Sequence, residues 1–155
     1  DHRDLHLSLR RQRQMCIRDR VIRGHMLVWL KKLDNLFFIV GRSLLGLYFI
    51  VPGLSKIFNY ISTLTLMKMK GVPFSTALLP VTIAIQLLGG IFLVLGKNLR
   101  LTALILFGLT IFINIFIHNF WSLHGDPSQA HEIQNFIKNL AIAAGLLILA
   151  TKDKN

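Results

Sequence analysis

The residues able to do chemistry are few, and they interrupt apolar runs. Arg42 is the one charged residue of its stretch until Lys56, Gln86 breaks a second stretch, and Asn114, His118 and Asn119 break a third. Lys138 and Asn139 open a fourth. At helical spacing Arg42, Gly46, Phe49, Gly53 and Lys56 share one face, so both cations and the small residues that permit close helix approach point the same way. Thr82, Gln86 and Gly89 share a face likewise, and Asn114, His118 and Trp121 form a stripe. Charged or titratable groups inside a membrane span cost several kcal/mol to insert, which makes each a candidate binding group facing other helices. His118 changes charge near neutral pH and could exchange a proton or bind a ligand.

Plainer roles compete for each residue. Arg42 could snorkel to headgroups, Gln86 could be interhelical glue, and His118 or the lysines at helix ends could be interfacial anchors. At ~1.5 Å per residue, Arg42 lies roughly 9 Å and Gln86 roughly 14 Å deep, so a hydrogen bond between them is open. His118, His124 and His131 fit no strong ligand spacing, and no metal is expected. No phosphate-binding loop or nucleophile elbow is present. No Asp or Glu falls within the spans drawn below, which weakens a proton-pump reading because such relays use buried carboxylates.

These residues need helices to position them, and composition says what surrounds those helices. Of 155 residues, 53% are hydrophobic and 16% charged, against about a quarter charged in soluble domains. A bilayer core ~30 Å thick takes ~20 apolar residues per helix. Four such segments are present, at 36–58, 74–95, 101–120 and 136–150, predicting an all-α, integral-membrane, up-down four-helix bundle. Pro52-Gly53 should kink the first span. The linker 59–73 could lie as a short helix at the membrane surface, ended by Gly71-Val72-Pro73. Gly96-Lys97-Asn98 should form a tight turn, and 122–135 reads as the longest polar loop, with Asp126-Pro127 as a turn signal.

The net charge of +11 would suggest nucleic acid, but seven of the eighteen Lys and Arg lie in the first 25 residues. The charge is therefore not spread over a folded face, and no nucleic-acid partner is expected. Within that segment Met15-Cys16-Ile17-Arg18-Asp19-Arg20 reads as the translation of a transposon end used in sequencing libraries. Residues 1–25 are accordingly read as a non-native extension before a natural start at Met26, with a basic arm for anionic lipid as the rival. From Met26 on there is no cysteine, which leaves no disulfide or thiol redox chemistry there. The first span lacks a convincing cleavage site and should stay as an anchor.

The pattern resembles the DoxX family of bacterial inner-membrane proteins, almost throughout from Leu33 onward. The matching stretches are Gly41-Arg42-Ser43-Leu44-Leu45-Gly46, Gly53-Leu54-Ser55-Lys56, Gln86-Leu87-Leu88-Gly89-Gly90, Phe116-Ile117-His118-Asn119-Phe120-Trp121 and Phe136-Ile137-Lys138-Asn139-Leu140. The resemblance implies a four-span inner-membrane protein associated with membrane-bound redox complexes, and a related subunit belongs to a thiosulfate:quinone oxidoreductase. Family members commonly carry Glu where this chain has Gln86. If that Glu is the arginine's partner, Arg42 is left here with a neutral acceptor, and an anion, quinone oxygen or lipid headgroup beside it gains weight.

The expectation is a noncatalytic subunit of a redox system, alongside oxidoreductase partner subunits. A quinone or other amphipath would sit among Arg42, Lys56, Gln86, Asn114, His118, Asn119, Lys138 and Asn139. A small transporter or lipid-handling protein is the first alternative, and it would need a homo-oligomer to leave room for a pathway. A structural or assembly factor is the second. Basic residues resist translocation. Lys31, Lys32, Lys97, Arg100, Lys152 and Lys154 fall on one side and Lys68 and Lys70 on the other, with Lys56 and Lys138 at helix ends there, so both termini should be cytoplasmic. A C-terminal reporter that fluoresces only outside the cytoplasm should stay dark; fluorescence would reverse the topology.

Overall fold

The computed structural model describes residues 2–151, with side chains described from residue 28. Five α-helices follow in order: α1 (His2–Phe58), α2 (Tyr60–Met69), α3 (Ser75–Leu95), α4 (Leu99–Phe116) and α5 (Gln129–Thr151), with a 3-10 turn at Phe120–Ser122 before the last. Four candidate membrane spans result: Val28–Phe58, Ser75–Leu95, Leu99–Ser122 and Gln129–Thr151. Only 17% to 28% of each is buried, so the outer faces are built for hydrocarbon.

The chain divides into two compact units, Asp1–Val40 and Gly41–Asn155, and α1 contributes to both. In the first, the Lys32 ammonium stands 5.9 Å from the Trp29 ring centre, and Leu36, Phe37, Ile39 and Val40 are exposed. The proposed extension 1–25 has its side chains outside those described, as do Lys152 and Lys154.

In the second unit neighbouring spans run antiparallel. A Cβ on Gly46 would stand 2.6 Å from the Gly90 carbonyl oxygen, and one on Gly90 would stand 2.7 Å from that of Gly46. Backbone thus meets backbone where α1 crosses α3, a contact only glycine allows. Gly53 reaches Gln86 and Leu87 farther along α1, while Gly89 on α3 packs against Leu106 of α4. Leu79, Leu93, Ala103, Leu106 and Leu146 are fully buried. Met67 and Val72 join Leu79 and Ile83 in one apolar cluster, with Phe112, Phe116 and Ile117 against it. That cluster seats α2 on α3 and α4.

The turn between α3 and α4 closes as its sequence predicts. Gly96 is left-handed at φ 74°, and the amides of Gly96 and Lys97 donate to the carbonyls of Leu93 and Phe92, the paired bonds of a glycine-terminated helix. Gly71, at φ 70°, ends the α2 segment in the same way.

The last loop is shorter than predicted. Residues 129–135 are helical, because the Asp126 carboxylate accepts from the Ser128 amide at 2.8 Å and its hydroxyl at 2.6 Å. Those bonds fix the chain's entry into α5, and Gln129 donates from its amide to the Asp126 carbonyl. The Ser128 hydroxyl's hydrogen bond holds the Asp126 carboxyl below its ordinary range. Polarity over 122–135 therefore marked a polar helix start as well as a loop. It places Glu132 inside a candidate span, against the expectation of no acidic residue there.

Gly46→Ala should destabilise the bundle by the ~1–3 kcal/mol typical of overpacking, read as a lower unfolding midpoint in detergent. Gly108→Ala, where an added Cβ meets nothing within 4 Å, should not. Equal effects would show that the α1–α3 approach is not tight.

Candidate functional site

Inside the second unit a polar thread links three spans. The Tyr48 hydroxyl of α1 donates to Asn139 Oδ1 on α5 at 2.6 Å. Asn139 Nδ2 donates to Asn114 Oδ1 on α4 at 2.9 Å, and Asn114 Nδ2 donates to the Phe136 carbonyl at 3.0 Å. Asn114 and Asn139 are 1% and 5% exposed, so water cannot replace these bonds. Thr110 turns its hydroxyl onto its own helix, to the Leu106 carbonyl at 2.7 Å.

Beside the thread lies a chamber of about 170 Å3, walled by polar groups that include Tyr48, Lys56, Gln86, His118, Lys138 and Asn139. Gln86 is 4% exposed, and its Oε1 is buried with no hydrogen-bond donor among the described residues. An unpaired buried acceptor costs about 1–3 kcal/mol, and a ligand supplying a donor would recover it. Adjoining the chamber is a second cavity of about 530 Å3 with mostly apolar walls, among them Val51, Leu66, Met67, Val72 and Phe112. Pro52, Lys56, Ile113 and His118 belong to both. A polar chamber and an apolar groove with a common wall form the outline of a site for a polar head and an apolar tail.

At the common wall His118 Nδ1 lies 2.6 Å from Glu132 Oε2, and Lys70 of the α2 segment lies 3.4 Å from Glu132 Oε1. Lys70 also donates to Asn119 Oδ1 at 3.3 Å. Glu132 thus ties α2 to α5 and orients the His118 ring. Among the described residues Lys56 has only the Pro52 carbonyl, at 3.4 Å, and Lys138 donates to Asn135 at 2.9 Å. Near this end Phe120, Trp121 and Phe136 stack edge to face, with ring centres 5.3 to 6.0 Å apart, as an aromatic belt does.

Arg42 is elsewhere. Its Nη1 donates to the carbonyls of Leu93 at 2.7 Å and Val94 at 2.8 Å, in the last turn of α3. A cation there satisfies carbonyls that the helix leaves open and meets the negative end of its dipole. Gln86 lies about 10 Å back along α3, so the hydrogen bond open to Arg42 and Gln86 by depth is not made. The two carbonyl acceptors fix Arg42 on the end of α3.

Of the residues singled out from sequence, Lys56, Gln86, His118, Lys138 and Asn139 meet at the chamber. Asn114 stands behind Asn139, and Asn119 holds Lys70 at the rim. Tyr48, Thr110, Lys70 and Glu132 were missed. Tyr48 lies at the i, i+4, i+8 spacing with Pro52 and Lys56 that could have revealed it. Glu132 was hidden by the assignment of its segment to a loop, although Asp126 and Ser128 before it are helix-start signals.

The sequence model of the DoxX family matches residues 37–119. The chain is 33% identical over 121 residues, 78% of its length, to the Inner membrane protein YqjF of Escherichia coli (strain K12), covering 87% of that protein. No solved structure matches. Residues 37–119 hold Gln86, Lys56 and His118, while Glu132, Lys138 and Asn139 lie beyond.

Asn139→Leu removes the acceptor of Tyr48 and the donor to Asn114 together. It should lower the unfolding midpoint more than Tyr48→Phe, which removes one bond worth about 0.6 kcal/mol on average between membrane helices. Equal shifts in a detergent melt would mean the thread is not continuous.

Proposed function

Because the chain belongs to the DoxX family and is a multi-pass inner-membrane protein, we propose that it is a noncatalytic membrane subunit holding an amphipathic ligand. The ligand's head occupies the chamber and its tail the groove, and quinone is the candidate that the redox association of the family suggests. One observation carries this reading: Gln86, almost fully buried, lines the chamber and has an acceptor that nothing among the described residues satisfies. Interhelical glue would have found a partner, as Asn114 and Asn139 do.

In this reading Lys56 and His118 stand where head meets tail, and the donors of the Lys56 ammonium suit the oxygens of a head. His118 is held in orientation by Glu132. With a quinone as the ligand, electrons would pass between it and a partner oxidoreductase subunit, with this chain supplying the berth. With both termini cytoplasmic, the chamber lies toward the outer leaflet, away from the Gly96 turn. The lipid-handling alternative uses the same cavity pair and differs in what the head is.

The test is to purify the protein in native lipid, extract it and measure bound small molecules by mass spectrometry. Wild type should retain one amphipath in near-equimolar amount. Gln86→Leu, losing a hydrogen bond worth ~1 kcal/mol, should retain about fivefold less affinity for it. An empty wild-type protein would sink the reading.

A further inference from the structure

The cations at the chamber lack counter-charges. Lys56 and Lys138 are both on its wall, and the chamber's lining contains no Asp or Glu. Among the described residues the acidic partner of this region is Glu132, and its two oxygens are taken by Lys70 and His118. Among the described residues Lys56, partly buried, meets one carbonyl at 3.4 Å, a neutral acceptor that leaves its charge unmatched, while Lys138, exposed at the rim, meets one amide oxygen at 2.9 Å. Positive charge at the edge of a low-dielectric medium attracts an anion more strongly than it would in water.

Gln86 adds a second requirement. Its buried acceptor needs a donor, and an anionic oxygen alone cannot supply one. A hydroxyl can, and because it both donates and accepts, it completes the amide turned either way. The head must therefore combine an anionic oxygen with a hydroxyl. The groove of about 530 Å3 lies within the range of single small-ligand pockets, which favours one chain over a diacyl lipid.

Resting on the amphipath reading above, we propose that the resident ligand is a single-chain anionic amphipath whose head carries both an anionic oxygen and a hydroxyl. The anionic oxygen binds at Lys56, with Lys138 at the rim, the hydroxyl donates to Gln86, and the chain lies along Val51, Leu66, Met67 and Phe112. Neutral quinone meets neither requirement as well, since its carbonyls only accept and carry no charge.

Four probes separate the requirements in phosphatidylcholine nanodiscs carrying the full chain. Lysophosphatidic acid has charge and hydroxyl, an ionised fatty acid has charge alone, monoacylglycerol has hydroxyls alone, and decylubiquinone has neither. Lysophosphatidic acid should bind at least ~10-fold more tightly than monoacylglycerol, the difference a hydrogen bond to a charged group makes. Lys56→Gln should erase that gap and Lys56→Arg should keep it. Gln86→Leu should bring lysophosphatidic acid down toward the fatty acid.

Monoacylglycerol or decylubiquinone binding as tightly as lysophosphatidic acid would overturn the proposal while leaving an amphipath site standing. So would a gap that survives Lys56→Gln, or a fatty acid equal to lysophosphatidic acid on the wild type. If none of the four binds a helical, monodisperse protein, the amphipath reading itself fails.

Discussion

A polar atom inside hydrocarbon has no water to turn to, so every buried donor and acceptor of this protein must be answered by the protein or by something it holds. That constraint explains why the spans are helices and why their outer faces are apolar. It also explains where the few polar side chains sit. Arg42 answers two open carbonyls at the end of α3. Tyr48, Asn139 and Asn114 answer one another across three helices. Thr110 answers its own backbone.

Against so complete a pairing, the exceptions stand together. Among the described residues Gln86 has an unanswered acceptor, and Lys56 has an unanswered charge on the same wall. A bundle made only for stability would replace such groups with leucine, since a half-satisfied polar network is worse than an apolar core. Their convergence on one cavity is the observation on which the proposed ligand site rests. The two ends of the unit differ accordingly. One is closed by glycine-mediated backbone contact and the Arg42 cap, and the other holds chamber, groove and the α2 segment tethered by Lys70 to Glu132.

Family membership brings an expectation about Gln86 that the geometry alters. A glutamate there need not be the arginine's partner, because Arg42 is engaged about 10 Å away along α3. The side chain at this position faces Tyr48, Lys56 and Asn139 across the chamber instead. An acid here would supply the counter-charge that Lys56 lacks. As an amide, Gln86 leaves Lys56 without a counter-charge on this wall and takes no part in the Gly46–Gly90 contact of α1 with α3.

Much was readable before any coordinates. Long apolar runs of membrane length set the number of spans, because hydrocarbon thickness dictates helix length regardless of packing. Gly96 and Gly71 announced their turns, because left-handed backbone is a local property of the residue. Five of the eight candidate residues, Lys56, Gln86, His118, Lys138 and Asn139, meet at the chamber because in-span polarity is costly and so rarely idle. What could not be read was pairing. Depth made Arg42 and Gln86 plausible neighbours, yet rotation about the helix axes and the carbonyls of an adjacent helix end decided otherwise. Glu132 and Lys70 lie far apart in sequence, in segments that read as linkers, and only the packing of α2 and α5 brings them together. Local composition determines what each segment is, whereas partnership depends on distances between helices that no single segment encodes.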